Sequence, residues 1–92
     1  MKSKKINNGY IIRLEKGEEI IELLTKFCKN NKIKSGIITG IGGTDNACLK
    51  YYDLEKKEYL SKKFSGKNYE IVSLNGNISL IKNEPFMHIH AV

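Results

Sequence analysis

Tryptophan is absent from this sequence, and its 92 residues include a single proline and two cysteines. No segment approaches the roughly 20 consecutive apolar residues that a membrane-spanning helix needs. Polar asparagines follow the first lysines, where a secretory signal peptide has an apolar stretch. We therefore expect a soluble, cytoplasmic protein without membrane association, and the length fits one small domain.

The cysteines are too few and too far apart for a disulfide-stabilised scaffold. Cys28 and Cys48 show no Cys-x-x-Cys pattern, and each falls within an apolar or strand-like run. Cysteine in such surroundings usually behaves as a small buried apolar residue. We interpret both as buried free thiols, in preference to a disulfide or a reactive site.

Arginine is also scarce, since Arg13 is the only one among sixteen basic residues, although the formal net charge is +6. A positive charge of this size indicates an anionic partner such as nucleic acid. The guanidinium group is the one that reads guanine and clamps phosphate, so its scarcity favours lysine contacts to phosphates without base recognition. The alternative is that the excess of Lys, Ile and Asn reflects only an AT-rich genome.

Apolar patterns predict one helix among several strands. Tyr10 to Glu15 alternates as a strand, and residues 18–30 have helical apolar spacing with acids at the start and lysines at the end. The predicted fold class is α+β, a mainly antiparallel β-sheet with one main α-helix, preceded by a mobile basic arm over residues 1–8. Further strands are predicted over 33–41, 47–53, 59–64, 69–74, 77–81 and from 86 onward, with turns at 53–58 and 82–85.

Three glycines, Gly40, Gly42 and Gly43, cluster where the predicted strand 33–41 ends. This corner lacks both the Gly-x-Gly-x-x-Gly that opens a helix in dinucleotide sites and the Gly-Lys-Ser or Gly-Lys-Thr of a P-loop. We interpret it as a tight turn that needs positive φ angles, in preference to a nucleotide site. The sequence also lacks the Gly-x-Ser-x-Gly elbow of α/β-hydrolases, so no motif indicates a hydrolase.

His88 and His90 are the only histidines, and they alternate with apolar residues in a strand-like run. A strand repeats every two residues, so both imidazoles lie on one face, about 7 Å apart along it. Metal binding usually needs at least three protein ligands. A third ligand would come from Cys48, Asp45, Glu70 or a neighbouring subunit, and the competing interpretation is a hydrogen-bonded strand pair or an oligomer contact.

Four blocks of sequence together carry a family resemblance. The blocks are Gly9-Tyr-Ile-Ile-Arg-Leu-Glu-Lys-Gly17, Gly36-Ile-Ile-Thr-Gly-Ile-Gly-Gly43, Tyr69-Glu-Ile-Val-Ser-Leu-Asn-Gly-Asn-Ile78 and Pro85-Phe-Met-His-Ile-His-Ala-Val92. With them the chain resembles the PPC domain family, which is conserved in plants and prokaryotes and includes the C-terminal domain of plant AT-hook nuclear proteins. The resemblance implies a PPC-like domain over residues 9–92, assembly as a homotrimer, and zinc at the histidine pair of some prokaryotic members. Resembling domains continue past the position of Val92, so we expect the C-terminal part of the family domain to be missing.

Together these features predict a non-enzymatic, oligomeric protein with a DNA-binding or gene-regulatory role. No Gly-Arg-Pro core of an AT-hook is present, so the predicted contacts are lysines on phosphates. The predicted contacts are Lys2, Lys4 and Lys5 of the arm, together with Lys62, Lys63 and Lys67. One alternative is a metal- or small-ligand-binding protein, with an enzyme as an option, that uses His88 and His90. The other is a purely structural assembly module.

Overall fold

One helix and five strands make up the protein in a computed structural model that describes residues 1–92. The elements are β1 (Lys2–Ile6), β2 (Gly9–Arg13), α1 (Ile20–Asn30), β3 (Gly36–Asp53), β4 (Glu58–Ile81) and β5 (Glu84–Ala91). β1 and β2 form a two-stranded sheet, and the other sheet has the order β3-β4-β5. The predicted α+β class, mainly antiparallel sheet with one helix, is confirmed.

Helix α1 begins and ends where local signals place it. Glu19 is the N-cap, and its carboxylate accepts a hydrogen bond from the Glu22 backbone N–H. At the other end the Asn31 side chain donates to the Phe27 carbonyl oxygen at 2.9 Å, and the Asn31 backbone N–H donates to the same oxygen at 3.0 Å. These bonds satisfy groups that a helix end leaves without partners. No helix in the protein has the length and hydropathy needed to cross a bilayer.

The chain divides into two compact units. The first unit comprises residues 1–38 and 76–89, and the second comprises residues 39–75 and 90–92. In the first unit Phe27, Cys28 and Met87 are buried, and the Tyr10 ring meets Phe27 edge-on at 4.9 Å. The inner face of the β1–β2 sheet therefore packs on the apolar face of α1.

The second unit is built around the β3–β4 hairpin and has one buried apolar side chain, Leu74. Asp53 closes the hairpin turn because its carboxylate accepts from the backbone N–H groups of Glu55 and Lys56 at 2.9 and 3.0 Å. This is the turn predicted at 53–58. The second predicted turn is also present, as the two residues Lys82 and Asn83 between β4 and β5.

The glycine corner is not a turn, and that prediction was wrong. Gly40, Gly42 and Gly43 all lie inside β3, and the only glycines with positive φ are Gly17 and Gly66. A glycine-rich segment can extend when a neighbouring strand completes its backbone hydrogen bonds, and β4 is that neighbour. The predicted strands 33–41 and 47–53 are consequently parts of one strand.

Two further expectations also differ from the structure. The segment 1–8 is not a mobile arm, because β1 pairs with β2 along its whole length, from Lys2 opposite Arg13 to Ile6 opposite Gly9. Cys48 is exposed, whereas Cys28 is buried as expected, and both thiols are free. Burial raises the pKa of the Cys28 thiol by desolvation of its charged form.

Candidate nucleic-acid interface

The two-stranded β1–β2 sheet, which we call the ribbon, carries positive charge on one face. In its antiparallel register Lys2 lies opposite Arg13 and Lys4 lies opposite Ile11. Side chains alternate between faces along a strand, and directly opposed residues share a face. Lys2, Lys4, Ile11 and Arg13 therefore share one side of the ribbon, which we call the cationic face, and they line a shallow pocket of about 180 Å³.

The cationic face is the outer side of the ribbon. Tyr10 and Ile12 belong to the opposite side, where Tyr10 contacts the helix residue Phe27. Ile11, on the cationic face, is 62% exposed. The alternation of β2 thus turns one side to the helix and leaves the cations to solvent.

Electrostatics reinforce this arrangement because neither β1 nor β2 contains an acidic residue. The nearby carboxylate of Glu18 is engaged elsewhere. It lies 2.7 Å from the N-terminal ammonium group of Met1 and accepts from the Glu15 backbone N–H at 2.6 Å. The hydrogen bond with the ammonium group, followed by the one from Glu15, lowers the pKa of Glu18. This bonding also fixes the start of β1.

The structure does not bring all three lysines of the supposed arm together. Lys5 lies opposite Tyr10, so it belongs to the helix-facing side of the ribbon rather than to the cationic face. Its place among the cations is taken by Arg13, which sequence reasoning noted only as the single arginine. The signal that would have found Arg13 is the pairing of β1 with β2, which no local pattern contains.

The three predicted lysines of the second unit also lie in different surroundings. Lys62 extends over the ring of Phe64, with its Nζ 5.3 Å from the ring centroid, as in a cation–π contact. Lys63, the next residue of β4, points to the other face of the strand. Lys67 lines a pocket of about 320 Å³ with Asp45, Gly66 and Asn68. The carboxylate in that pocket weakens the case for Lys67 as a phosphate ligand.

The histidine pair lies on β5 with both side chains exposed, while the alternating Met87 is buried and Ile89 half-buried. His88 belongs to the first unit and His90 to the second. No group of three or more His, Cys, Asp or Glu side chains in the protein is arranged to hold a metal ion. Two imidazoles are fewer than the three protein ligands that a zinc site usually has.

The fold and its exposed features define a small α+β domain with a cationic β-ribbon, and comparison with known proteins places it in a family. The sequence matches the Plants and Prokaryotes Conserved (PCC) domain over residues 1–92. The chain belongs to this family, also written PPC, and the predicted membership is confirmed.

Solved structures from bacteria and archaea are similar to this chain. A candidate DNA-binding protein from Bacteroides thetaiotaomicron is 37% identical with a TM-score of 0.90, over 98% of this chain and 62% of that protein. A plant- and prokaryote-conserved protein from Pyrococcus horikoshii is 42% identical with a TM-score of 0.80, over 87% of this chain and 55% of that one. A metal-containing protein from Archaeoglobus fulgidus is 38% identical with a TM-score of 0.81, over 87% and 56% respectively.

These relatives are longer than the chain, which spans 55 to 62% of their lengths. No curated protein matches it.

Proposed function

We propose that this chain is a non-enzymatic DNA-binding protein with a gene-regulatory role, and that it contacts duplex phosphates through the cationic face of the ribbon. The observation that carries the proposal is the grouping of Lys2, Lys4 and Arg13 on one outer face, in two strands without an acidic residue. The similar Bacteroides protein, described as a candidate DNA-binding protein, supports the same class of partner.

The side chains of the cationic face suit contacts to phosphates. Lysines attract phosphates as point charges, whereas a guanidinium group can hold a phosphate with two parallel hydrogen bonds. With Arg13 as the sole arginine, we expect binding that depends strongly on salt and little on base sequence.

The test is a titration of labelled duplex DNA by fluorescence anisotropy at several salt concentrations. Three cations that each neutralise one phosphate give a log–log salt slope of about −2.7, since each contact contributes about −0.9. Lys4→Ala removes one contact on the cationic face, so it should weaken binding and reduce the slope by about 0.9.

Lys5→Ala is the matched control, because it removes the same charge from the adjacent residue on the other side of the ribbon. It should leave the slope nearly unchanged. Equal effects of the two substitutions would contradict the assignment of the face, and absence of binding even at low salt would refute the DNA-binding proposal itself.

Lys62, Lys63 and Lys67 remain proposed secondary contacts. Each substitution to alanine should weaken duplex binding less than Lys4→Ala does. We expect the smallest effect at Lys67, because Asp45 shares its pocket and already offsets part of its charge.

We also propose that the chain assembles as a homotrimer. Large apolar side chains are strongly exposed in both units, including Ile37 at 85% and Ile41 at 84%. Exposed apolar surface of this kind is typical of protein contacts. Light scattering after size exclusion should give about three times the chain mass of 10.5 kDa, and a mass of one chain would contradict the proposal.

Metal binding is the alternative function, favoured by the exposed histidine pair and by the description of the Archaeoglobus relative as metal-containing. Since one chain lacks a three-ligand group, the remaining donors would come from a second copy. Elemental analysis should then find zinc in the purified protein, and His88→Ala or His90→Ala should abolish it. Metal-free wild-type protein after purification with added zinc would refute this alternative.

A further inference from the structure

The outer end of the β3–β4 hairpin, residues 50–63 of the second unit, carries an aromatic pair that the proposed duplex contact does not use. The rings of Tyr52 and Tyr59 meet edge-on, with centroids 5.2 Å apart and planes at 66°. Despite this contact Tyr52 is 47% exposed and Tyr59 is 72% exposed. About half of Tyr52 and most of Tyr59 are therefore open to solvent.

Because the two rings are in contact, Tyr52 and Tyr59 lie on the same face of the hairpin. Side chains alternate along each strand, so Lys50 of β3 and Lys63 of β4 lie on the same face as the tyrosines. The intervening residue Ser61 is small and polar. We call this surface, made of Lys50, Tyr52, Tyr59, Ser61 and Lys63, the tyrosine face.

The two acidic strand residues at this end of the hairpin lie on the opposite face, and the third acidic residue, Glu55, belongs to the turn. Asp53 and Glu58 directly follow and precede the two tyrosines, so they point to the opposite face. That opposite face is also where Lys62 covers Phe64. The tyrosine face consequently combines two cations and two exposed aromatic rings, and none of its five residues carries a carboxylate.

We propose that the tyrosine face binds single-stranded DNA, whereas the proposed ligand of the ribbon is duplex DNA. This inference rests on the proposed DNA-binding function and names a second substrate class for it. Aromatic rings beside basic side chains are the combination that single-strand binders use, with bases stacked on the rings and phosphates on the cations. A duplex keeps the faces of its bases stacked on one another, so only unpaired bases can stack on the tyrosine rings.

The experiment measures binding of fluorescein-labelled (dT)20 and of labelled duplex to the full chain. Tyr59→Leu keeps an apolar side chain but removes the stacking surface. Loss of one stacked base costs about 1–3 kcal/mol, which corresponds to roughly 5- to 150-fold weaker binding of (dT)20. Duplex binding by this variant should stay unchanged.

Tyr51→Leu is the matched control, since Tyr51 is adjacent to the pair and 53% exposed but lies on the opposite face. It should bind (dT)20 as the wild type does. Because the chain has no tryptophan, tyrosine emission provides a second readout. Unlabelled (dT)20 should quench it in the wild type and much less in Tyr59→Leu.

The outcomes separate this inference from the proposed function. Equal (dT)20 affinity of Tyr59→Leu and Tyr51→Leu would overturn the inference while leaving the duplex results of Lys4→Ala intact. A change of oligomeric mass in Tyr59→Leu, with unchanged (dT)20 binding, would also overturn it and assign the face to a contact between copies. If Lys4→Ala bound duplex DNA as tightly as the wild type while Tyr59→Leu still weakened (dT)20 binding, the ribbon assignment would be overturned instead.

Discussion

Substituting alanine for Gly76 tests how closely β4 and β5 approach each other in the first unit. A Cβ atom at this position would lie 2.9 Å from Cγ1 of Ile89 and 3.0 Å from its Cα, and it would also meet the carbonyl oxygen of His88. Ordinary van der Waals contacts of a Cβ lie between 3.4 and 4 Å. Two of these obstacles are backbone atoms, which cannot move away without disturbing the strand.

The expected cost follows from this overlap. Overpacking of a well-fitted site costs about 1–3 kcal/mol. The lower entropy of alanine in the unfolded chain offsets about 0.4–1 kcal/mol of that. A net loss of roughly 1–2 kcal/mol lowers Tm by about 4–16 °C in a domain of this size.

Thermal unfolding followed by circular dichroism measures the effect, with Gly42→Ala as the control. Gly42 also lies in a strand without positive φ, but a Cβ there would meet no atom within 4 Å. Its substitution should leave the free energy of unfolding unchanged or raise it by up to about 1 kcal/mol. If Gly76→Ala were as stable as Gly42→Ala, the close approach of the two strands would be refuted.

Three further predictions concern the thiols, the β4–β5 turn and the start of β1. Cys48 is exposed, whereas Cys28 is buried and has a raised pKa. A disulfide reagent should therefore label only Cys48 in the folded chain and should reach Cys28 only in denaturant. Labelling of the folded chain should disappear in Cys48→Ser. Lys82 and Asn83 have φ angles of 52° and 64°, as in a type I′ turn, so Asn83→Gly should raise unfolding stability by roughly 0.5 kcal/mol in urea titrations, and a decrease would contradict this. Because the pKa of Glu18 is lowered in the folded chain, its ionised carboxylate stabilises the fold. This stabilisation is complete above the ordinary glutamate pKa of about 4.3 and is lost as pH falls through the lowered value. The difference in Tm between pH 7 and pH 3 should therefore shrink in Glu18→Gln, and an unchanged difference would argue against the contribution.

Much of the fold could be predicted from the sequence because its signals are local. The acidic start and the asparagine end of α1 act through hydrogen bonds within one turn of the helix. Both hairpin turns likewise depend on the residues that form them, as Asp53 shows by accepting two backbone hydrogen bonds. Family membership also follows from short blocks of sequence in matching order.

The candidate site depended on pairing between strands, which the tertiary structure decides. A shift of register by one residue moves every side chain to the other face of a sheet, so no local pattern could place Arg13 beside Lys2 or separate Lys5 from them. The same non-local pairing keeps the glycines around Gly42 extended, because a neighbouring strand supplies the hydrogen bonds that a turn would otherwise provide. The sequence by itself thus determined the elements, the charge and the family, whereas the tertiary structure decided which charges share a surface.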